Sequence, residues 1–225
     1  VIEAQSLCRY YEGDVRVAAV RDVTFRVAAG ERVSIVGRSG SGKTTLINLL
    51  AGLDSASDGL LKVDDQIVSQ LDRRQMAAYR LQTVGIVFQS FQLIPHRTAL
   101  QNIELPLILA GISRPERQER AAHQLETVGL AHRAGHFPWQ LSGGEQQRVA
   151  IARSIIQAPP VLLADEPTGN LDSNTAANVM EVLLNACDAN RMTLVLVTHD
   201  ESLARTCATR CVAMHDGELR EVGNI

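Results

Sequence analysis

Residues Gly37-Arg38-Ser39-Gly40-Ser41-Gly42-Lys43-Thr44 carry the spacing G-x-x-x-x-G-K-[ST]. The glycines let the backbone turn so that successive N–H groups converge on one anion. Lys43 then reaches the outer phosphates of a nucleotide, and the Thr44 hydroxyl suits Mg²⁺. Arg38, Ser39, Ser41 and Thr45 lie in or beside this loop and count with it as nucleotide-binding residues. The flanks have the context such a loop needs. Arg32-Val33-Ser34-Ile35-Val36 reads as a buried strand, and Thr45 to Leu50 as a helix stopped by Gly52, whose N-terminus adds partial positive charge.

Two further segments carry chemistry. Val161-Leu162-Leu163-Ala164 is an apolar strand that ends in Asp165 and Glu166. Carboxylates at the carboxyl end of a parallel strand emerge where open sheets bind ligands. Asp165 suits Mg²⁺, which prefers oxygen ligands and keeps much of its water. Glu166 is suited to take a proton from an attacking water or to orient it. In Leu141-Ser142-Gly143-Gly144-Glu145-Gln146-Gln147-Arg148, Ser142 and Glu145 form a capping box. The helix it opens continues through Val149, Ala152 and Ile156 and stops before Pro159-Pro160. Capping does not require Gly143 and Gly144, which expose backbone N–H groups for a second anion.

These residues need elements to position them. Asp22 to Val27 alternates with period two, as a half-buried antiparallel strand does. Val84 to Phe88, Val161 to Ala164 and Thr193 to Thr198 are short apolar runs separated by helical segments, which predicts a mainly parallel sheet covered on both faces. Ser113 to Leu130 differs: a capping serine, an early Pro115, many charges, and Ala122, Leu125 and Val128 at helical spacing predict an inserted helical subdomain.

Composition narrows the class. With 225 residues the chain can bury one sizeable core, alone or with a small satellite. A net charge of −3 and only 4% aromatic residues argue against a nucleic-acid surface. No apolar run reaches membrane-spanning length, and the N-terminus shows no secretory signal. Val1 is not methionine, which reads as a chain processed or cut from something longer. Cys8, Cys187, Cys207 and Cys211 lack zinc spacing and read as reduced, mostly buried thiols, with a shared helix face for Cys207 and Cys211 as the metal-binding alternative.

Leu141 to Arg153 closely resembles the signature of ATP-binding-cassette (ABC) ATPases, and the resemblance runs through nearly the whole chain in the family's order. It implies a phosphate-loop NTPase of α/β class, with a mainly parallel sheet, an N-terminal antiparallel β subdomain and a helical subdomain at about 90–157, all within one ATP-binding domain over residues 1–225. The cofactors implied are ATP and Mg²⁺. By resemblance Gln89 contacts Mg²⁺ and the membrane partner, Asp165 and Glu166 are the second Walker motif and the catalytic glutamate, and His199 contacts the γ-phosphate. Asp172, in Gly169-Asn170-Leu171-Asp172, matches the aspartate that communicates across a dimer. Tyr11 aligns best with the aromatic residue that stacks on adenine, with Tyr10 as the alternative, and the loop that follows is one residue shorter than the usual pattern.

The same resemblance implies a head-to-tail homodimer or paired ATPase, in which Ser142, Gly143, Gly144 and Glu145 of one chain meet the ATP of the other. It also implies a transmembrane permease docked near the Gln89 loop, and therefore a peripheral position on the cytoplasmic face of the inner membrane. Val87 to Pro95 and Leu163 to Asp172 look like the lipoprotein-release and macrolide-export branch. Gln92 and Gln101 depart from its more usual Asn and Glu, Arg38 from a frequent proline, and Asp65 from a usual turn glycine. DNA-repair and translation relatives would bring coiled coils, zinc modules or a second cassette. A phosphate-loop kinase or GTPase would need neither the Leu141–Arg148 signature nor His199.

Overall fold

The computed structural model describes residues 1–13 and 16–222; Asp14 and Val15, on which the expectation of a shortened segment after Tyr11 bears, lie outside the described residues. Strands β1 (Ile2–Tyr11) and β2 (Val17–Val27) pair antiparallel. With β4 (Asp58–Val63) and β5 (Gln66–Ile67) they form a sheet of order β2-β1-β4-β5. In β2, Val23 and Val27 are buried while Asp22, Thr24 and Arg26 are exposed, the alternation its sequence predicts. The β4–β5 turn places Asp64 and Asp65 at φ 45° and 64°, left-handed backbone that glycine adopts freely. Asp65 occupies it with its carboxylate 2.8 Å from Lys62 Nζ.

The second sheet has the order β10-β9-β3-β8-β7-β6. Its strands are β3 (Arg32–Val36), β6 (Val84–Phe88), β7 (Val161–Asp165), β8 (Thr193–Thr198), β9 (Arg210–His215) and β10 (Glu218–Val222). All neighbours run parallel except β9 and β10. Strand β8 is buried at every residue because both faces are covered. Val195 and Val197 face the core shared with α1 (Lys43–Leu50) and the antiparallel sheet. Leu194 and Leu196 face α7 (Ser173–Asn190) on the other side. From α2 (Arg73–Gln82), the buried Tyr79 hydroxyl donates to the Leu50 carbonyl at 2.5 Å and so satisfies the end of α1.

Between β6 and β7 the chain is helical: α3 (Ala99–Ile103), α4 (Leu105–Leu109), α5 (Arg114–Thr127) and α6 (Gly143–Ile155). Ile103, Leu107, Leu125, Leu130 and Val149 form a core of their own there. Three local expectations need correction. Ala121, not Ala122, is the buried alanine of α5. Ser113 stands at the N-cap of α5 but makes no side-chain cap, and Pro115 has no N–H to donate to it. Cys207 ends α8 (Glu201–Cys207) whereas Cys211 lies in β9, so they share no helix face; all four thiols are free and buried.

Helix α6 serves two cores at once. Val149 and Ala152 face the helical insert, while Ile151 and Ile155 face the sheet and α7. Its contact with α7 requires a residue without a side chain, because a Cβ on Gly144 would lie 2.3 Å from Thr175 Cγ2. Gly144→Ala should therefore destabilise the fold by about 1–3 kcal/mol, the usual cost of overpacking. Thr175→Ala should restore most of that loss when combined with it. Chemical denaturation of the two single variants and the double variant measures the coupling, and strict additivity would contradict the contact.

Candidate nucleotide-binding site

The parallel register lines the site up. Val36 pairs with Thr198, Val197 with Asp165, and Asp165 with Phe88. The residues just beyond the ends of β3, β8, β7 and β6 are thus Gly37, His199, Glu166 and Gln89, in one row along the carboxyl edge of the sheet. Backbone hydrogen bonding continues past β7, since Glu166 N donates to the Val197 carbonyl at 2.9 Å.

The loop after β3 is held between two strands. A Cβ on Gly37 would lie 2.3 Å from the Met214 carbonyl, and one on Gly42 2.2 Å from that of Ala19. These glycines permit close backbone approach as well as an anion cradle. Lys43 is buried, and its Nζ donates to the carbonyls of Gly37 at 2.8 Å and Arg38 at 2.9 Å. Among the described residues, buried Ser41 Oγ has no hydrogen-bond partner, an unmet polar atom inside the cradle. A cleft of about 400 Å³ opens over the loop, lined by Ser39, Gly40, Gly42, Lys43, Thr44 and Thr45 together with Glu166, Val17 to Ala19, Arg21, Asp216 and Gly217.

At the mouth of β7, burial pushes the Asp165 carboxyl above its ordinary pKa, and the Glu166 charge adds to that. A hydrogen bond from Thr44 and the Lys43 charge act the other way. Thr44 and Asp165 offer the hard oxygen donors Mg²⁺ takes in combination with phosphates and water. Among the described residues no three acidic, His or Cys groups lie together as a metal cage. Glu166 adopts φ 47°, an uncommon backbone for its type, and its Oε2 lies 3.1 Å from His199 Nδ1.

Gln89 is not among the residues that line the cleft. Its Nε2 donates to Asn170 Oδ1 at 3.3 Å, and Asn170 Nδ2 donates to the Gln89 carbonyl at 3.1 Å. Gln147 and Arg153, both on α6, secure the same segment. Buried Gln147 donates to the carbonyls of Phe88 at 3.2 Å and Pro167 at 2.5 Å. Arg153 donates to those of Gln92 at 2.6 Å and Phe91 at 3.0 Å. Asn170, Gln147 and Arg153 were missed by the sequence analysis. For Gln147 a signal existed, since it is a polar residue on the buried stripe with Gly144 and Ile151.

The other expected residues lie apart from this cleft. Tyr11 pairs with Val17 and Tyr10 with Ala18, so both stand beside its rim, but neither lines it. The Tyr11 hydroxyl donates to Asp54 Oδ2 at 2.7 Å, and the Arg9 guanidinium sits 4.6 Å from its ring centre. Ser142 is exposed at the head of α6, where its hydroxyl and N–H both donate to Glu145 Oε2, at 2.9 and 2.8 Å. The backbone bond from Ser142 is the main reason the Glu145 carboxyl is held below its usual pKa, with Arg133 assisting. Asp172 caps α7 by accepting from Thr175 N at 3.1 Å.

A family model described as "ABC transporter" matches residues 20–169, more than half of the chain. The chain belongs to the ABC transporter family. It is an ATP-binding, ATP-hydrolysing subunit of that class. The lipoprotein-releasing system ATP-binding protein LolD of Xanthomonas oryzae pv. oryzae is 44% identical over 99% of this chain and 91% of its own length. The macrolide export ATP-binding/permease protein MacB of Hyphomonas neptunium is 43% identical over 97% of this chain but only 34% of its own. Among solved structures, the cassette MJ0796, a dimer in a post-hydrolysis state bound to ADP and Pi, superposes with a TM-score of 0.90 at 38% identity over the full length of both chains.

A half-buried carboxylate in this ABC site has a measurable cost. The folded-state pKa of Asp165 is raised, so the folded protein holds that proton more readily, and stability falls as pH rises through that pKa. Asp165→Asn removes the charge. Without nucleotide the variant should melt a few degrees above the parent near neutral pH, and the gap should close below the ordinary carboxylate pKa of about 4. Calorimetric melting across that pH range checks both the sign and the window.

Proposed function

We propose that two copies of this ATPase close head to tail, or that it pairs with a similar ATPase. Each ATP then lies between the Gly37–Thr45 loop of one copy and Ser142, Gly143, Gly144 and Glu145 of the other. The observation that carries this reading is the separation of two anion-binding ends in one chain. The loop over Lys43 faces its own cleft, while the exposed head of α6 is absent from that cleft's lining. Within the cleft, Lys43 neutralises the outer phosphates, and Thr44, Asp165 and a Gln89 swung out of its Asn170 contact would hold Mg²⁺, which supplies charge neutralisation at the phosphates. Glu166 takes a proton from the attacking water. His199 steadies that carboxylate and faces the γ-phosphate, Asp172 meets the partner chain, and Tyr11 offers its remaining ring face to adenine.

The transport partner would dock beside the Gln89 segment. A groove of about 380 Å³ runs there between α2, β6, α4 and α6, with Leu81, Phe88, Leu105 and Leu109 on its walls and Arg153 at one side. Leu109 is 68% exposed, which suits a permease segment bringing apolar side chains. Among the described residues no helix is long and apolar enough to cross a membrane, so the reading needs a separate membrane part and places this chain on the cytoplasmic face of the inner membrane through it. LolD and MacB, by name, serve lipoprotein release and macrolide export; a process of that kind is proposed here. Residues 1–225 then act as one cassette carrying the helical insert.

Glu166→Gln should keep ATP binding, lose roughly 10²–10⁴-fold in turnover, and accumulate as an ATP-bound dimer on size-exclusion chromatography. Near-normal steady-state turnover would remove Glu166 from the mechanism.

The shared site needs a probe other than Gly144, whose replacement would disturb α7 regardless of nucleotide. Gly143 is suitable: an acid in the first turn of a helix is tolerated, and the nearest obstacle to a Cβ is the flexible end of Leu171 at 3.1 Å. Gly143→Asp should bind ATP yet fail to hydrolyse it. Mixing it with Lys43→Ala should restore activity, because one of the two composite sites is then intact. No recovery in verified mixed dimers would count against shared sites.

A further inference from the structure

Phe137 and Trp139 form a parallel aromatic stack on the surface, with ring centres 4.6 Å apart and planes 4° apart. Trp139 is 65% exposed. It is the single tryptophan of a chain in which only 4% of residues are aromatic. Its position is tightly held, because Pro138–Gln140 form a 3-10 turn anchored by buried Pro138 and Leu141. Gln140 closes the turn by accepting from Phe137 N at 2.9 Å through Oε1. Phe137 covers one face of the indole. The residue after Leu141 is Ser142, the head of α6.

The cleft over Lys43 lacks what this turn has. None of its described lining residues is aromatic. Beside it, Tyr11 is tied to Asp54 and carries Arg9 against its ring. A purine held there has no stacking surface among the residues that line the cleft and, beside them, only the one ring face that Tyr11 leaves open, so its other face is uncovered.

We infer that Trp139 is a base-stacking residue acting in trans: when α6 of one copy meets the ATP of the other, the open indole face covers the adenine. This rests on the shared-site reading above. The chemistry and the reach agree. Two residues, Gln140 and Leu141, separate Trp139 from Ser142, a backbone reach of at most about 10 Å, and the base lies at the far end of a nucleotide whose γ-phosphate meets Ser142. Phe137, Trp139 and the base then make one continuous stack in the offset-parallel mode aromatic rings favour. Stacking tolerates any base, so the platform adds affinity for nucleosides over bare polyphosphate without selecting adenine from guanine.

The lone tryptophan makes the test direct. In the Glu166→Gln protein, MgATP should drive dimerisation on size-exclusion chromatography and quench tryptophan fluorescence with the same midpoint. Inorganic tripolyphosphate, which has no base, should not reproduce the quench. Adding Trp139→Ala should raise the ATP concentration for half-dimerisation at least about fivefold, while ATP affinity measured calorimetrically at monomer-favouring concentrations stays unchanged. Trp139→Phe should recover most of the loss. An ATP dimer whose midpoint Trp139→Ala leaves unmoved would overturn the platform and leave shared sites standing. Equal quenching by tripolyphosphate would also overturn it, assigning the aromatic pair to contact with protein. Absence of any ATP dimer would overturn both.

Discussion

A parallel strand covered on both faces keeps a polar side chain in its middle only where a partner satisfies it, as the Ala204 carbonyl does for Ser34 in β3, and the site depends on that. In β8 the residues facing α1 and those facing α7 are alike apolar. The strand cannot carry chemistry along its length, so chemistry collects beyond its last residue. Four strands in register deliver four such ends to one edge. Displacing one strand by two residues would preserve its inward and outward faces but remove its functional residue from the row. Tight packing of the core is therefore what sets the geometry of the reacting groups, although no core side chain touches them.

Several residues singled out for nucleotide chemistry hold the fold as well. Gly144 leaves room for Thr175, Asp172 caps α7, and Ser142 with Glu145 closes the first turn of α6. Gly37 and Gly42 admit carbonyls from β9 and β2. Intolerance to substitution at these positions does not by itself report on catalysis. Gly143 and Trp139, whose surroundings yield, separate the two roles.

What the sequence made legible follows the range of the interactions. The phosphate loop, the Asp165–Glu166 strand end and the α6 capping box are local, with cause and effect within a few residues. The buried strands could be read because both faces are apolar. In α5, by contrast, two adjacent alanines differ only in which meets the insert core, and tertiary packing chose Ala121. Four-residue spacing suggested one helix face for Cys207 and Cys211, but the chain leaves the helix between them. Gln147, Arg153 and Asn170 were hidden for another reason. They bind main-chain carbonyls of distant segments, and a carbonyl carries no mark in the sequence.

Helix α6 joins those hidden contacts to the exposed ones. Its 13 residues make a rod about 20 Å long. Near its far end, Arg153 grips the carbonyls of Phe91 and Gln92, residues at φ 59° and 51° in a kinked segment beside the groove. Its near end presents Ser142. The rod is gripped near its head as well, by Thr175 against Gly144 and by the bonds of Gln147 to Phe88 and Pro167, so it moves as one body with the segments it touches. The Phe91 turn and the Ser142 head are thus tied to one rigid element, and a displacement of either is shared with the other.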